Sequence, residues 1–430
     1  MDDTIVGISS SGAISILRLS GSKSLEIVSE LLSSKNKLKD REICYGKIVD
    51  KGVEIDEVLV AFMKSPKSYT KEDVVEIYCH GNRIIAQKIM NSLVDRGAKI
   101  ADRGEFTKRA FLNGRIDLTQ AESVYDLINA NSEKSIENSL RNLNGFLRKK
   151  VQKMREVILN SLANINVVSD YPEEVEDEFF HRKEIESLLT EIDSLISSYS
   201  TGRILREGIK VVIVGRPNVG KSSLMNRLLK SDRAIVSDVK GTTRDIIEER
   251  IRIKDIPITI LDTAGIRDSQ DKVEKIGIDL SKKSIEDADI ILFVLDSSEG
   301  FTEEDRKIME IVKHKKYILI KNKRDLAYLD QIDGLNFSAT EDEIEIIENR
   351  IEKLALDCDV SQEAIVDNLR HKNLFVKTKK SLEEFLQSDA PLDIASIHLS
   401  QAINSLGEII GEVTTEDLLD NIFQNFCVGK

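Results

Sequence analysis

The chain has 430 residues and carries 62 Lys and Arg against 75 Asp and Glu, a formal charge of −13. At roughly 150 residues per domain, the length holds two to four domains. The acidic total argues against a general nucleic-acid coat and leaves room only for a local basic patch, while 41% hydrophobic and 32% charged residues suit a soluble globular protein rich in exposed helix.

Residues 1–114 read as mixed α/β. Residues 13–19, 44–49, 58–63 and 74–78 are short apolar, partly β-branched runs bounded by Gly, Ser or charged turns, which predicts strands. Residues 82–96 predict a helix closed by Gly97. From Leu118 to Arg206 the spacing changes to threes and fours, as in Leu118, Ala121, Val124, Tyr125 and Ile128, which predicts long helix. Asp170-Tyr171-Pro172-Glu173-Glu174 breaks it, because proline removes a donor, and residues 184–199 form a second helical run.

Between residues 208 and 356 strands and helices alternate, with buried-type strands at 210–214, 257–261, 289–295 and 317–320. Such alternation predicts a mostly parallel sheet. After Asp357 the pattern is helical again, ending in a predicted helix over 417–430. The two helical blocks are expected to pack together, with the α/β unit inserted. No apolar run exceeds six residues, against about 20 for a membrane span, and the N-terminus lacks the features of a secretory signal. The four cysteines are scattered without CxxC spacing, so reduced thiols in the cytoplasm are expected.

The strongest chemical signal is Gly215-Arg216-Pro217-Asn218-Val219-Gly220-Lys221-Ser222. It follows a predicted strand and precedes a predicted helix, as a phosphate loop requires. Backbone N–H groups at the helix N-terminus face phosphates, Lys221 supplies a point charge, and the Ser222 hydroxyl suits Mg²⁺. Asp262-Thr263-Ala264-Gly265 follows the next buried strand, where Asp262 reaches Mg²⁺ through water and the Gly265 N–H meets the γ-phosphate. Asn322-Lys323-Arg324-Asp325 follows the strand at 317–320, and the Asp325 carboxylate can accept from the ring N–H and amine of guanine. Adenine would leave those buried groups unpaired. Ser338-Ala339-Thr340 follows a short strand and is placed to contact the guanine carbonyl. Together these motifs predict a GTP-binding domain.

Ser237-Asp238-Val239-Lys240-Gly241-Thr242-Thr243 lies where a first switch belongs, with Thr242 and Thr243 both candidates for Mg²⁺. Many small GTPases place a water-orienting Gln after the second-switch glycine, and here that residue is Ile266. Glu274 is near enough in sequence to take the role, although alone it reads as a solvated helix residue.

At this point the chain closely resembles the MnmE (TrmE) family of tRNA modification GTPases. The resemblance covers essentially the whole chain. It rests on Asp3-Thr4-Ile5-Val6, the stretch Phe106 to Asn113, Tyr171-Pro172-Glu173-Glu174, Gly241-Thr242-Thr243-Arg244-Asp245, and Phe426-Cys427-Val428-Gly429-Lys430. It implies an α+β multidomain protein: a folate-binding and dimerising domain (1–114), a helical domain in two segments (115–207 and 357–430), and a P-loop GTPase domain inserted at 208–356.

With an FAD-dependent partner, in a heterotetramer or larger complex, such proteins install a carboxymethylaminomethyl or aminomethyl group at C5 of the tRNA wobble uridine. The added carbon comes from methylene-tetrahydrofolate, and hydrolysis depends on K⁺, which promotes pairing of GTPase domains across a homodimer. By the same resemblance Asn218, Ser237, Val239 and Thr242 hold K⁺, Ser222 and Thr243 hold Mg²⁺, and Glu274 orients water. Ser223, Lys240 and Arg324 belong to the GTP site. Arg18, Glu76, Arg115 and Lys430 match the family's contacts to a reduced folate, 5,10-methylene-tetrahydrofolate or its 5-formyl analogue.

Two features depart from the family. A shorter Ser9-Ser10-Ser11-Gly12 replaces a Pro-Gly-rich loop, and Arg115 stands where Lys is frequent, keeping the charge but changing its geometry. Cys427 is either a small buried residue or a thiol near folate. The run Arg148-Lys149-Lys150 reads as a solvated face, Lys372 to Lys380 is ambiguous, and no residue pattern locates tRNA. Two other readings are a regulatory switch GTPase, as in ribosome assembly, and a folate-dependent one-carbon transferase regulated by its GTPase domain.

Overall fold

The computed structural model describes residues 3–170, 182–231, 248–262, 284–327, 332–356 and 366–429. The chain forms two compact units, one drawn from Met1–Ile128, Leu140–His181 and Ser381–Lys430, the other from Asn129–Ser139 and Arg182–Lys380. The architecture is multidomain α+β, with an α/β domain inserted in helical sequence.

The first unit contains a seven-stranded sheet: β1 (Ile5–Ser10), β2 (Ile14–Ser20), β3 (Leu32–Ser33), β4 (Ile43–Asp50), β5 (Val53–Met63), β6 (Val74–His80) and β7 (Lys99–Ile100), in the order β3-β4-β5-β6-β2-β1-β7. Neighbours are antiparallel except β1 and β7. Alternation sorts the side chains. Leu17 and Leu19 of β2, Val58 and Val60 of β5, and Val75, Ile77 and Cys79 of β6 enter one core with helices α1 (Ser24–Leu31) and α2 (Arg83–Val94). Asn82 caps α2 through its side chain. The intervening residues face the other way, and Arg18 is in register with Glu76.

On that second face Tyr45 pairs with Leu59, and Leu59 with Tyr78. Tyr45, Leu59 and neighbouring Ile43 are exposed there, Ile43 by 68%. Elsewhere the face is covered by α3 (Glu105–Leu112), whose Phe106 is fully buried beside Ile5 and Tyr69.

The helical stretch from Leu118, expected to break only at residues 170–174, is divided further. It comprises α4 (Leu118–Asn129), α5 (Glu133–Leu143), α6 (Phe146–Asp170) and α7 (Arg182–Glu207). Gly145, at φ +81°, separates α5 from α6 in a conformation that favours glycine. In the first unit α6 packs on helix Leu392–Ile410. Leu147, Val151, Met154 and Ile158 on one, and Ala395, Leu399, Ala402 and Leu406 on the other, are buried at helical spacing. In the second unit α7 is tied to the second helical segment by Lys379 and Asp193 at 2.6 Å.

The last helix also differs from expectation. It spans Glu416–Phe423, and the residues after it form a non-helical tail. The tail follows β1 and the start of α3 instead: Gly104 N–H donates to the Cys427 carbonyl, and Val428 bridges Arg103.

The second unit holds a six-stranded sheet: β8 (Ile209–Val214), β9 (Glu248–Ile253), β10 (Ile256–Asp262), β11 (Ile290–Asp296), β12 (Tyr317–Asn322) and β13 (Leu335–Asn336), in the order β13-β12-β11-β8-β10-β9. All neighbours are parallel except β9 and β10. Apolar cores lie on both faces, which explains why β11 is buried along its whole length.

Candidate functional site

Parallel sheets place ligands outside the carboxyl ends of their strands. Here β8 ends at Val214, β10 at Asp262, β11 at Asp296 and β12 at Asn322. Residues 215–220 connect β8 to helix α8 (Lys221–Ser231). Gly215 has φ +151°, and a Cβ there would lie 2.3 Å from the Val294 carbonyl oxygen, so only glycine fits. Asn218 is exposed at φ +64°. Lys221 Nζ donates to the carbonyls of Gly215 at 2.8 Å and Arg216 at 2.6 Å, which holds the ammonium over its own loop. Ser222 and Ser223 are exposed on the first turn of α8, and Val219 is buried.

The base-side motif is bound to this loop directly. Asn322 Nδ2 donates to the Val219 carbonyl at 2.8 Å, and Asn322 Oδ1 accepts from Ala339 N–H at 3.2 Å. One amide therefore joins three of the predicted motifs. Asp325 is exposed and accepts from the Ser338 hydroxyl at 2.7 Å, and Ser338 lies 2.8 Å from the Thr340 hydroxyl. Arg324 pairs with Asp342, which also accepts from Ser338 N–H.

Two supports lay beyond the sequence motifs. Asp296 holds Lys323 Nζ at 2.6 Å. Burial alone would raise the Asp296 pKa, but the bonds from Lys323 and Ser298 outweigh it and leave it lowered. Asp305 caps helix Glu303–Val312 together with Thr302 and holds Arg216 Nε at 2.9 Å. A single acid closing the apolar run of β11 was a legible signal for Asp296. Nothing local marked Asp305 as a partner of Arg216.

Of the other predicted residues, Asp262 closes β10 in register with Ile213. Ser237, Asp238, Val239, Lys240, Gly241, Thr242, Thr243, Thr263, Ala264, Gly265, Ile266 and Glu274 lie outside the described residues, as do Tyr171 to Glu174 and Lys430.

A second polar site lies in the first unit. Arg18 and Glu76 meet at 2.7 Å, and Tyr78 donates to the other Glu76 oxygen at 2.6 Å. Burial and that bond push the Tyr78 hydroxyl up to about 12. Arg18 also donates to the Gly429 carbonyl at 3.3 Å, which accepts from the Ser9 hydroxyl at 2.9 Å. The Arg18 guanidinium carbon lies 5.7 Å from the ring centroids of both Tyr69 and Phe106. Arg115 stacks over Tyr69 at 4.8 Å and donates to its carbonyl at 3.1 Å. Two of the four residues singled out for folate, Arg18 and Arg115, thus meet at Tyr69, and a third, Glu76, is bonded to Arg18; no sequence motif announced Tyr69. Cys427 is an exposed free thiol, which removes the buried alternative. Of the charged runs, Arg148 and Lys149 are exposed, with Arg148 3.6 Å from Asp117, and Lys372 lies over Tyr199 at 4.6 Å.

Residues 4–115 match the family model described as "GTP-binding protein TrmE N-terminus", and residues 118–427 match "MnmE helical domain". Curated relatives agree over full length. The protein named tRNA modification GTPase MnmE from Clostridioides difficile (strain 630) is 43% identical over 100% of both chains. That from Thermoanaerobacter pseudethanolicus is 44% identical over 100% of this chain and 99% of its own. That from Thermotoga maritima is 44% identical over 100% of both.

Proposed function

The chain belongs to the MnmE family of tRNA modification GTPases, and on that premise we propose that it is a K⁺-dependent GTPase that works with an FAD-dependent partner to install a carboxymethylaminomethyl or aminomethyl group at C5 of the wobble uridine. That it hydrolyses GTP in tRNA modification follows from the family. The observation that most supports the finer reading is the pairing of two equipped sites in one chain. One is the phosphate loop bonded to the guanine motif through Asn322 and Val219. The other is the Arg18–Glu76 pair beside Gly429.

Backbone N–H groups of the loop before α8, with Lys221, take the phosphates, and Asp325 with the Ser338 segment takes guanine. Ser222, exposed on α8, suits Mg²⁺ together with Thr243. Exposed Asn218 offers an amide oxygen, a hard ligand suited to a monovalent ion, with Ser237, Val239 and Thr242. These cations, when bound, would supply charge that offsets the phosphate negative charge. Glu274 is the residue proposed to orient the attacking water.

The second site suits a reduced folate. Arg18 and Glu76 are bonded to one another, so they meet the same part of the ligand, with paired donors and acceptors for the pterin. Arg115 and Lys430 are left for the anionic tail. A homodimer is supported by the exposed apolar row of Ile43, Tyr45 and Leu59 on the sheet, since such patches commonly mark interfaces.

Mass analysis of tRNA wobble nucleosides in cells with and without this protein tests the reading. Loss of the C5 modification is expected. Unchanged nucleosides together with intact GTP hydrolysis would indicate a regulatory switch GTPase instead.

A further inference from the structure

Beyond Arg115, in the first unit, a cleft of about 470 Å³ opens between the β5–β6 connection and the end of α3. That volume lies within the ordinary range for small-molecule sites. Four cations line it: Arg41, Lys67, Lys71 and Arg115. Met63, Pro66 and Tyr69 supply apolar wall. Among the described residues, the sole carboxylate within 4 Å of any of the four is Asp40, 3.8 Å from Arg41.

The cations are held in different ways. Lys71 is fixed by the carbonyls of Asn113 and Gly114, both at 3.0 Å, which leaves its third ammonium proton for another acceptor. Arg41 is anchored by one bond to the Lys67 carbonyl. The Lys67 ammonium has no ion-pair or hydrogen-bond partner among the described residues. Four cations facing one nearby carboxylate, Asp40, repel one another, and a polyanion relieves that repulsion.

We propose that this cleft binds the γ-linked polyglutamyl tail of the folate, so that the protein selects polyglutamylated over monoglutamyl forms. The proposal rests on the folate reading of the Arg18–Glu76 site. Tyr69 connects the two places, because both Arg18 and Arg115 stack on its ring. Each added γ-glutamyl unit brings one free α-carboxylate on a flexible chain. A tail passing Arg115 would therefore present successive anions to Lys71, Lys67 and Arg41. A cleft of this volume, open to solvent, can take such a flexible chain along its length.

The test is titration of the full chain with the mono- and triglutamyl forms of 5-formyl-tetrahydrofolate at two ionic strengths. The triglutamyl form should bind about tenfold tighter at low salt, because partly exposed ion pairs each contribute a small factor. The margin should shrink as salt rises. Lys67→Ala, alone and with Arg41→Gln, should remove most of that margin while leaving monoglutamate affinity unchanged. Equal affinity for the two forms would overturn the proposal and leave the folate reading intact. If neither form binds, the folate reading fails and the proposal fails with it. If the variants keep the margin but weaken tRNA binding, the cleft belongs to RNA and the proposal is wrong.

Discussion

Asn322 and Val219 are 103 residues apart, and the Asn322 amide donates to the Val219 carbonyl at 2.8 Å inside the protein. The base loop and the phosphate loop are therefore one hydrogen-bonded body. Gly220 makes the approach feasible, since a Cβ there would lie 2.1 Å from Asn322 Nδ2. A nucleotide that fits the phosphate loop must place its base at a fixed position beside Asp325.

Asp325 should therefore decide base identity. Asp325→Asn exchanges one acceptor oxygen for a donor, and nucleotide preference should move from GTP toward xanthosine triphosphate. A lost or mismatched hydrogen-bond pair at a site shaped for one base is worth several kcal/mol. Competition binding with GTP, ATP and xanthosine triphosphate measures it, and equal GTP and ATP affinity in the unmodified protein would refute the guanine assignment.

Glu274→Ala should lower GTP hydrolysis by about 10²-fold, as removal of a water-orienting group does. Nucleotide affinity should hardly change. Single-turnover hydrolysis beside equilibrium GTP binding separates the two, and full activity would return Glu274 to a solvated role.

Hydrolysis should rise strongly with K⁺ and much less with Na⁺ at constant ionic strength. Asn218→Ala should erase the difference, because it removes the amide oxygen assigned to the ion. Indifference of the unmodified protein to the cation would count against the site.

Deleting Cys427 to Lys430 should weaken reduced-folate binding and abolish wobble-uridine modification. The deletion removes the Gly429 carbonyl that accepts from Arg18 and Ser9. GTP binding should persist, since its residues belong to the other compact unit. Normal modification by the truncated chain would make the tail a packing feature.

Asp296 predicts an acid limit. Its pKa is lowered in the folded protein, so its stabilising contribution is present above the ordinary carboxylate value of 3.8 and is lost as pH falls through the lower folded value. Thermal unfolding across this range should show a smaller acid-induced loss in Asp296→Asn than in the unmodified protein. An identical pH dependence would mean that the Lys323 contact contributes nothing.

The phosphate loop, the guanine motif and the central strands were legible because each is local: a fixed glycine spacing, or an apolar run of buried-strand length. What escaped was non-local. Two-residue β7 is a strand only because it pairs with β1. The charged edge strand β9, Glu248–Ile253, exists through its antiparallel partner β10, and its alternating Glu-Arg-Ile pattern lacks the apolar run that marks a buried strand. The helical repeat after Leu118 carried through Gly145 because a periodicity count does not weigh one residue that stops the helix. Arg18 and Glu76 could be singled out only through the family resemblance; their pairing depends on strand register, and Tyr69 enters from a loop.

The contact between Arg18 and Gly429 spans 411 residues, which sets an order of events during synthesis. Translation proceeds at about 5–20 residues per second, and N-terminal domains fold as they emerge. The sheet carrying Arg18 and Glu76 is thus available tens of seconds before the segment that finishes its polar site. A nascent chain that stopped after the nucleotide domain would lack the Gly429 carbonyl that accepts from Arg18 and Ser9. The polar site around Arg18 and Glu76 is therefore closed by residues made hundreds of positions after it.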